Sequence, residues 1–478
     1  MLGAYSKLEV TGKRRGAPGA GVATGHHPTD YGDLLLTTLG VTAHWDHPTA
    51  ERHPALVWAE SGAMSLTGPH DGPPALAPGR LASCARATLR SFATLAGDHA
   101  MRGIDGAALL GERAAILGLT RRGRISCGGS CRLLRASDGW IAINLPRADD
   151  HASVPAWLEI AASDDSWDAI TAAVAPRPAA VLVARARLLG LAVATASRPA
   201  TSAPWYRVVA RGASVEPAPV TPPLVLDLSA LWAGPLASHL LERAGARVIK
   251  VESTRRPDGA RSGAAGFFDL LNAGKESVAL DLANSAGRAA LMRLVARADI
   301  VIESSRPRAL VQLGIDAATI VRDRPGKTWI SITGYGRSGP AANWVAYGDD
   351  AATAAGLAVA TGALAGSDGP LFCGDAIADP LTGMHAAVAA LAAYRHGGGV
   401  LLSLALRDVA AHALAFGAPP SSATVHAHSG ADGRAAWDVA ADGERQAVQP
   451  PRARRPTGVA RPLGSDTDAV LGAMHGRH

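Results

Sequence analysis

The chain has 478 residues, 48% hydrophobic and 18% charged, with 47 Lys plus Arg against 41 Asp plus Glu. That balance excludes wholesale disorder and leaves length for two or three domains. A formal charge of +6 without basic blocks, with 4% aromatic residues, argues against nucleic acid as a partner. No apolar run is long enough to cross a bilayer, so no membrane partner is expected.

Residues 1–30 are rich in Gly, Pro and charge and read as a flexible arm without a signal peptide. Residues 31–120 read as mixed and largely helical, with a helical apolar face from Leu81 to Leu95. Residues 121–200 read as a smaller α+β unit. In it, two strands within 124–145 are joined by an Asp138-Gly139 turn, and a helical stretch follows over 152–198. Prolines including Pro204, Pro217, Pro219 and Pro222 mark 201–223 as a linker.

From Leu224 the pattern becomes strand–helix alternation. LVLDLS, RVIKVE, SVALDL, ADIVIES and KTWISIT are apolar runs of strand length. The intervals 285–297 and 307–323 read as helices, 381–394 as a strong helix, and 398–406 as a glycine turn leading into a strand. Apolar strands without alternation suit a mostly parallel sheet covered on both faces, so 224–415 is expected to be an α/β, doubly wound, Rossmann-like core. Residues 416–478 are turn-rich and are expected to return to the core. A faint internal echo links 61–74 and 355–370, each followed by an Ala-rich helix, as if 31–120 held a degenerate copy of part of the core.

The four cysteines, Cys84, Cys127, Cys131 and Cys373, lack zinc-knuckle spacing. They read as free thiols of a reducing compartment, with cytoplasmic localisation and no metal.

Six blocks then stand in order: VLDLSALWAGPLASHLLERAGARVIKVE (225–252), LLNAGKESVALDL (270–282), ADIVIESSRPRALVQLGID (298–316), ISITGYGRSGP (330–340), YGDD (347–350) and ADPLTGMHAAVAAL (378–391). Together they resemble the family III CoA-transferases, the superfamily that also includes α-methylacyl-CoA racemases. The stretch 458–474 resembles the family's closing segment. The arrangement departs from the family because the unit resembling its small domain, 124–150 and the helices after it, precedes the core. The chain therefore reads as a rearranged or degenerate-tandem member. The resemblance implies acyl-CoA and a carboxylic acid as substrates, no tightly bound cofactor, and a homodimer.

Asp379, before Pro380, fits a helix N-cap by its residue type. The resemblance makes it the catalytic carboxylate that attacks the thioester, and covalent catalysis by a carboxylate divides one hard exchange into easier steps. Asp375 reads as a loop residue. Asp349 stands where the racemases have histidine; an aspartate is a weak base unless burial raises its pKa, which disfavours racemisation. Asp349 and Gly336 are secondary candidates. For CoA binding the resemblance points to Trp232, Ala233, Lys275 and Thr333, with Arg255 and Arg256 standing near the family's arginine. Ser304-Ser305 and Gln312 replace the family's other usual residues. A CoA-binding subunit without activity is the remaining reading.

Overall fold

The computed structural model describes residues 31–42, 52–161, 166–216, 222–417, 422–430 and 435–473. The expected arm, 1–30, lies outside the described residues.

The strands in chain order are β1 (Cys131–Ala136), β2 (Gly139–Asn144), β3 (Ala192–Thr195), β4 (Arg207–Arg211), β5 (Leu224–Leu228), β6 (Arg247–Ser253) and β7 (Glu276–Leu280). They continue with β8 (Ile300–Glu303), β9 (Thr328–Thr333), β10 (Val400–Ala405), β11 (Thr424–Ser429), β12 (Ala435–Ala441) and β13 (Glu444–Ala447). The main sheet has seven strands in the order β4-β10-β9-β8-β5-β6-β7. All neighbours are parallel except β4, which pairs antiparallel with β10, so the fold is α/β with a mixed sheet.

Successive side chains on a strand point to opposite faces, and both faces here are apolar, which is why the sequence shows runs rather than alternation. Val225, Ile302, Ile330 and Leu404 face a core that includes the helices Leu81–Ala96, Ala233–Arg243 and Ala378–Arg395. Leu226, Ile249, Val301 and Trp329 face the helices Ser285–Arg297, Pro307–Gln312 and Ala317–Asp323. Ala378–Arg395 is the central helix, buried nearly all round. Its small residues permit close approach: a Cβ on Gly383 would stand 2.6 Å from the Ala233 carbonyl oxygen.

The first core also takes in Tyr31, Trp58, Leu81 and Leu110, so 31–120 shares a core with the second half. Thr67, in the first echoing segment, accepts a hydrogen bond from the N–H of Gly374, four residues beyond the second (2.8 Å).

Four stretches depart from the sequence reading. The segment 152–198 is not helical throughout: Gly190, at φ 75°, follows the Ala179–Leu188 helix, and the apolar LAVAT after it becomes β3 of a three-stranded antiparallel sheet. The Pro-rich linker contains β4, an edge strand of the main sheet. The interval 307–323 is two helices, split at Gly314 (φ 81°). The 416–478 segment, expected to be turn-rich, contains the β11-β12-β13 meander, and its end lies on the edge strand β7, where Asp466 and Thr467 accept from Ser277 and Ala279 N–H. Among the described residues, no helix is long and apolar enough to cross a membrane.

Candidate active site

The parallel strands end together, and the segments after them carry the candidate site residues. Order reverses beside β5, between β6 on one side and β8 on the other, the place where open α/β sheets form a crevice. The loops after β5 and β8 touch there: Ala230 N–H donates to Ser304 Oγ (3.2 Å).

Asp379 lies in the first turn of Ala378–Arg395, one residue inside the helix rather than at its N-cap. The correction is small: Ile377 already has helical dihedrals and occupies the cap, without a side-chain hydrogen bond. The Asp379 side chain is half-buried among fully buried neighbours. Burial pushes its pKa up to about 7, while the Arg113 charge and the Gly348 N–H pull it down. Gly348 is required here, because a Cβ would meet Asp379 Oδ2 at 2.4 Å and the Ala376 carbonyl oxygen at 2.3 Å.

Three more aspartates gather around this point. Asp349 accepts from Ala376 N–H (3.0 Å), and burial and then the Asp375 charge raise its pKa to about 7. Asp350 accepts from Tyr347 N–H (2.8 Å) and Asn144 Nδ2 (3.2 Å), and burial raises it to about 6. Asp375, wholly buried, is gripped by Arg113 through Nε–H···Oδ2 at 2.8 Å and a second N–H at 2.5 Å. It is therefore a partner within the cluster rather than a free loop residue. Burial works against the Arg113 charge, but Asp375 outweighs it and the guanidinium pKa is raised.

Arg113 belongs to the short Glu112–Leu117 helix of the first half and lies over the Trp232 ring (5.4 Å). Sequence reasoning missed it, because an isolated arginine in ERAAIL carries no motif. Two non-glycine residues with positive φ flank the cluster, Leu231 (68°) and Ala376 (44°). Such backbone costs about 1–3 kcal/mol and persists only where the surroundings impose it.

Of the expected CoA-binding residues, Trp232 caps Ala233–Arg243, and both Trp232 and Ala233 are buried beside the cluster. Thr333, at the end of β9, accepts from Gly336 N–H (2.9 Å), and Gly336 itself (φ 99°) faces open space. Lys275 departs from the expectation. Its ammonium is 2% exposed and donates to Asp227, the Pro235 carbonyl, Ser238 and Asn272. Burial lowers its pKa to about 8, with Asp227 opposing, and the geometry makes it an internal strut rather than part of a rim.

Arg255 pairs with Asp281 at the surface (3.2 Å). Arg256 is exposed three residues after β6, and Arg306 and Arg308 follow β8. Burial and then the Arg308, Arg256 and Arg147 charges lower the Arg306 pKa. These like charges form a cationic rim beside Tyr347, next to the aspartates. Arg187 ties the small unit to the same edge by donating to Tyr335 OH (2.7 Å). A cavity of about 670 Å³ lies at the opposite edge, where the strands begin, lined by Pro223, Asp299 and Lys327.

Residues 223–440 match the model of CoA-transferase family III. The chain is 34% identical over 215 residues to the succinate–glutarate CoA-transferase of Agrobacterium fabrum, covering 41% of this chain and 53% of that protein. It is 32% identical over 145 residues to the acetyl-CoA:oxalate CoA-transferase of Acetobacter aceti, covering 29% of this chain and 37% of that protein. The chain thus spans about half or less of the length of these curated relatives. A crystal structure of a CAIB/BAIF family protein from Brucella suis matches 41% of this chain and 55% of its own at 31% identity, with a TM-score of 0.37. Residues 223–440, a little under half of the chain, are thus the part that matches the CoA-transferase family III superfamily.

Proposed function

We propose that the chain transfers coenzyme A from an acyl-CoA thioester to a carboxylic acid, with Asp379 as nucleophile. The observation that carries this reading is the half-buried Asp379 carboxylate at the crevice edge of the sheet, beside Gly348 N–H, Arg113 and a cationic rim. The ionised carboxylate attacks the thioester carbonyl and expels CoA thiolate, leaving an acyl–aspartyl anhydride. The thiolate then attacks the aspartyl carbonyl, and the donor acid leaves as its carboxylate. The resulting aspartyl-CoA thioester is attacked by the acceptor carboxylate, which expels the thiolate again. A last attack by the thiolate on the new acyl group gives the product thioester and restores Asp379. Each step exchanges one acyl bond and needs no net proton transfer.

Arg256, Arg306 and Arg308 suit the diphosphate and 3′-phosphate of CoA, since an anion relieves their mutual repulsion. Thr333, Gly336, Trp232 and Ala233 border the thioester end in this reading. The sheet is read as doubly wound and Rossmann-like, and the protein as a cytoplasmic homodimer.

A second reading rests on Asp349. Burial lifts its pKa to about 7, near that of Asp379, so two carboxylates are poised to exchange an α proton of a 2-methylacyl-CoA. One experiment separates the two. The protein is incubated with acyl-CoAs and free acids, adducts are trapped with hydroxylamine or borohydride, and peptides are mapped by mass spectrometry. Transfer predicts an adduct on Asp379 and loss of exchange in Asp379→Ala. Solvent deuterium at the α carbon without exchange would select the second reading, and exchange unchanged in Asp379→Ala would overturn the first.

A further inference from the structure

A second cluster of basic groups lies away from the carboxylates. Arg102, His239, Arg243, Leu270, Arg454 and Arg455 line a pocket of about 200 Å³. They come from four stretches: the chain after Leu81–Ala96, the helix Ala233–Arg243, the helix Ala265–Asn272, and the stretch before the closing segment. His239 and Arg243 sit seven and eleven residues beyond Trp232, roughly 10 and 16 Å along the helix axis, so the pocket is separate from the crevice.

Its interior is built rather than incidental. His239 is 4% exposed, and its Nε2 accepts from Arg454 (3.0 Å). The same arginine holds the buried Glu112 carboxylate at 2.6 and 2.8 Å. Arg243 donates to the Arg102 carbonyl oxygen (3.3 Å), which fixes its guanidinium at the wall. Among the described residues no carboxylate forms an ion pair with Arg102, Arg243 or Arg455. The acidic groups at the border are Glu112, already held by Arg454, and Glu242, 3.6 Å from His239 Nδ1. Four arginines thus line a small space with two carboxylates beside it.

We propose that this pocket binds a small oxyanion, phosphate- or carboxylate-headed, at a site separate from the transfer chemistry. Guanidinium forks match both head groups by paired N–H donors. The volume is several times the ~30 Å³ share of a water molecule and admits a phosphate or a short dicarboxylate. Its position suits an effector: Glu112, which faces the pocket through Arg454, is the immediate neighbour of Arg113, which grips Asp375.

The test is calorimetric titration of the full chain in a chloride-poor buffer, with inorganic phosphate in one arm and succinate in the other. Arg102 and Arg455 are exposed, so R102Q/R455Q is expected to fold as the wild type does, checked by its melting temperature without anion. R256Q/R308Q serves as control for the crevice rim. Saturable binding should weaken by about tenfold or more in R102Q/R455Q, ~1.4 kcal/mol, and persist in R256Q/R308Q. The R243Q variant should show the same loss. The arm that binds identifies the head group. Binding of neither anion, equal binding in R102Q/R455Q, or loss only in R256Q/R308Q would overturn the proposal.

Discussion

Removing Arg113 tests whether the first half of the chain completes the candidate site. Asp375 has no exposed side-chain surface, and Arg113, 26% exposed, meets both its oxygens. Breaking a buried pair by deleting one partner costs about 3–5 kcal/mol, because the other charge is left without compensation. Water reaching the arginine's side of the pair relieves part of this, so Arg113→Ala is expected near 3 kcal/mol. Replacing both partners, R113L/D375L, should recover most of the loss, since no charge is then left buried alone. A second readout separates chemistry from stability. Arg113 also lowers the pKa of Asp379, which stands at about 7 with the arginine in place. A one-unit rise on its removal takes the ionised fraction at pH 7 from ~0.5 to ~0.1. Exchange in Arg113→Ala should therefore fall about fivefold at pH 7 and recover near pH 9. Urea unfolding and a pH–rate profile measure the two effects. A variant within ~1 kcal/mol of wild type, with its acid limb unmoved, would refute the reasoning.

Wild-type exchange should fall as pH drops through about 7, because Asp379 must be ionised to attack. For stability the sign is opposite: Asp349 and Asp379 hold protons in the folded state at pH values where the unfolded chain has lost them. Their contribution is greatest below the ordinary value of 3.8 and is lost as pH rises to about 7. Asp349→Asn should accordingly stabilise the protein at pH 8 by an amount of order 2–4 kcal/mol, with a smaller gain at pH 5, both read by urea unfolding. Gly348→Ala should reduce exchange by about 100-fold or more while costing about 1–3 kcal/mol, since its methyl displaces the Asp379 carboxylate; near-normal turnover would contradict that placement. Lys275→Met strands Asp227 in the interior and should cost about 3–5 kcal/mol, with little change in the KM for acyl-CoA among molecules that still fold. A large KM increase without destabilisation would return Lys275 to the nucleotide.

The core strands were legible because burial on two faces leaves a simple trace, continuous apolar runs between turn signals. The central helix was legible from its alanines and the Asp379-Pro380 start. What stayed hidden has physical causes. β4 is short, and Val208 and Val209 are 41% and 42% exposed at the sheet edge, so RVVAR shows neither alternation nor a core run. β11 reads TVHAHS, polar and mostly exposed, because the meander it starts buries little of its own surface. Lys275 was visible as a lysine in a family block, yet burial of its ammonium depends on Asp227, 48 residues earlier in the chain. Arg113 was out of reach for the same reason on a longer scale, its partner being 262 residues away. Local pattern identifies elements; pairings across such separations exist only once the sheet has closed.

That distance shapes what the chain's unusual order does. Asp379, its neighbouring aspartates and the rim arginines Arg256, Arg306 and Arg308 come from the second half, and the family match begins at residue 223. The charge facing three of those aspartates comes from residue 113, and Thr67 of the first half accepts from Gly374 N–H beside Asp375. A fragment starting near residue 223 would keep the sheet's strands from β5 to β10 but lose β4, the Leu81–Ala96 helix packed in the core, and Arg113. Its central helix would be exposed along one side, and Asp375 would be left buried without a counter-charge. The first half is thus required both for the apolar enclosure of Ala378–Arg395 and for the electrostatic state of the carboxylate at its start. The same contacts that bury the helix raise the pH at which Asp379 ionises.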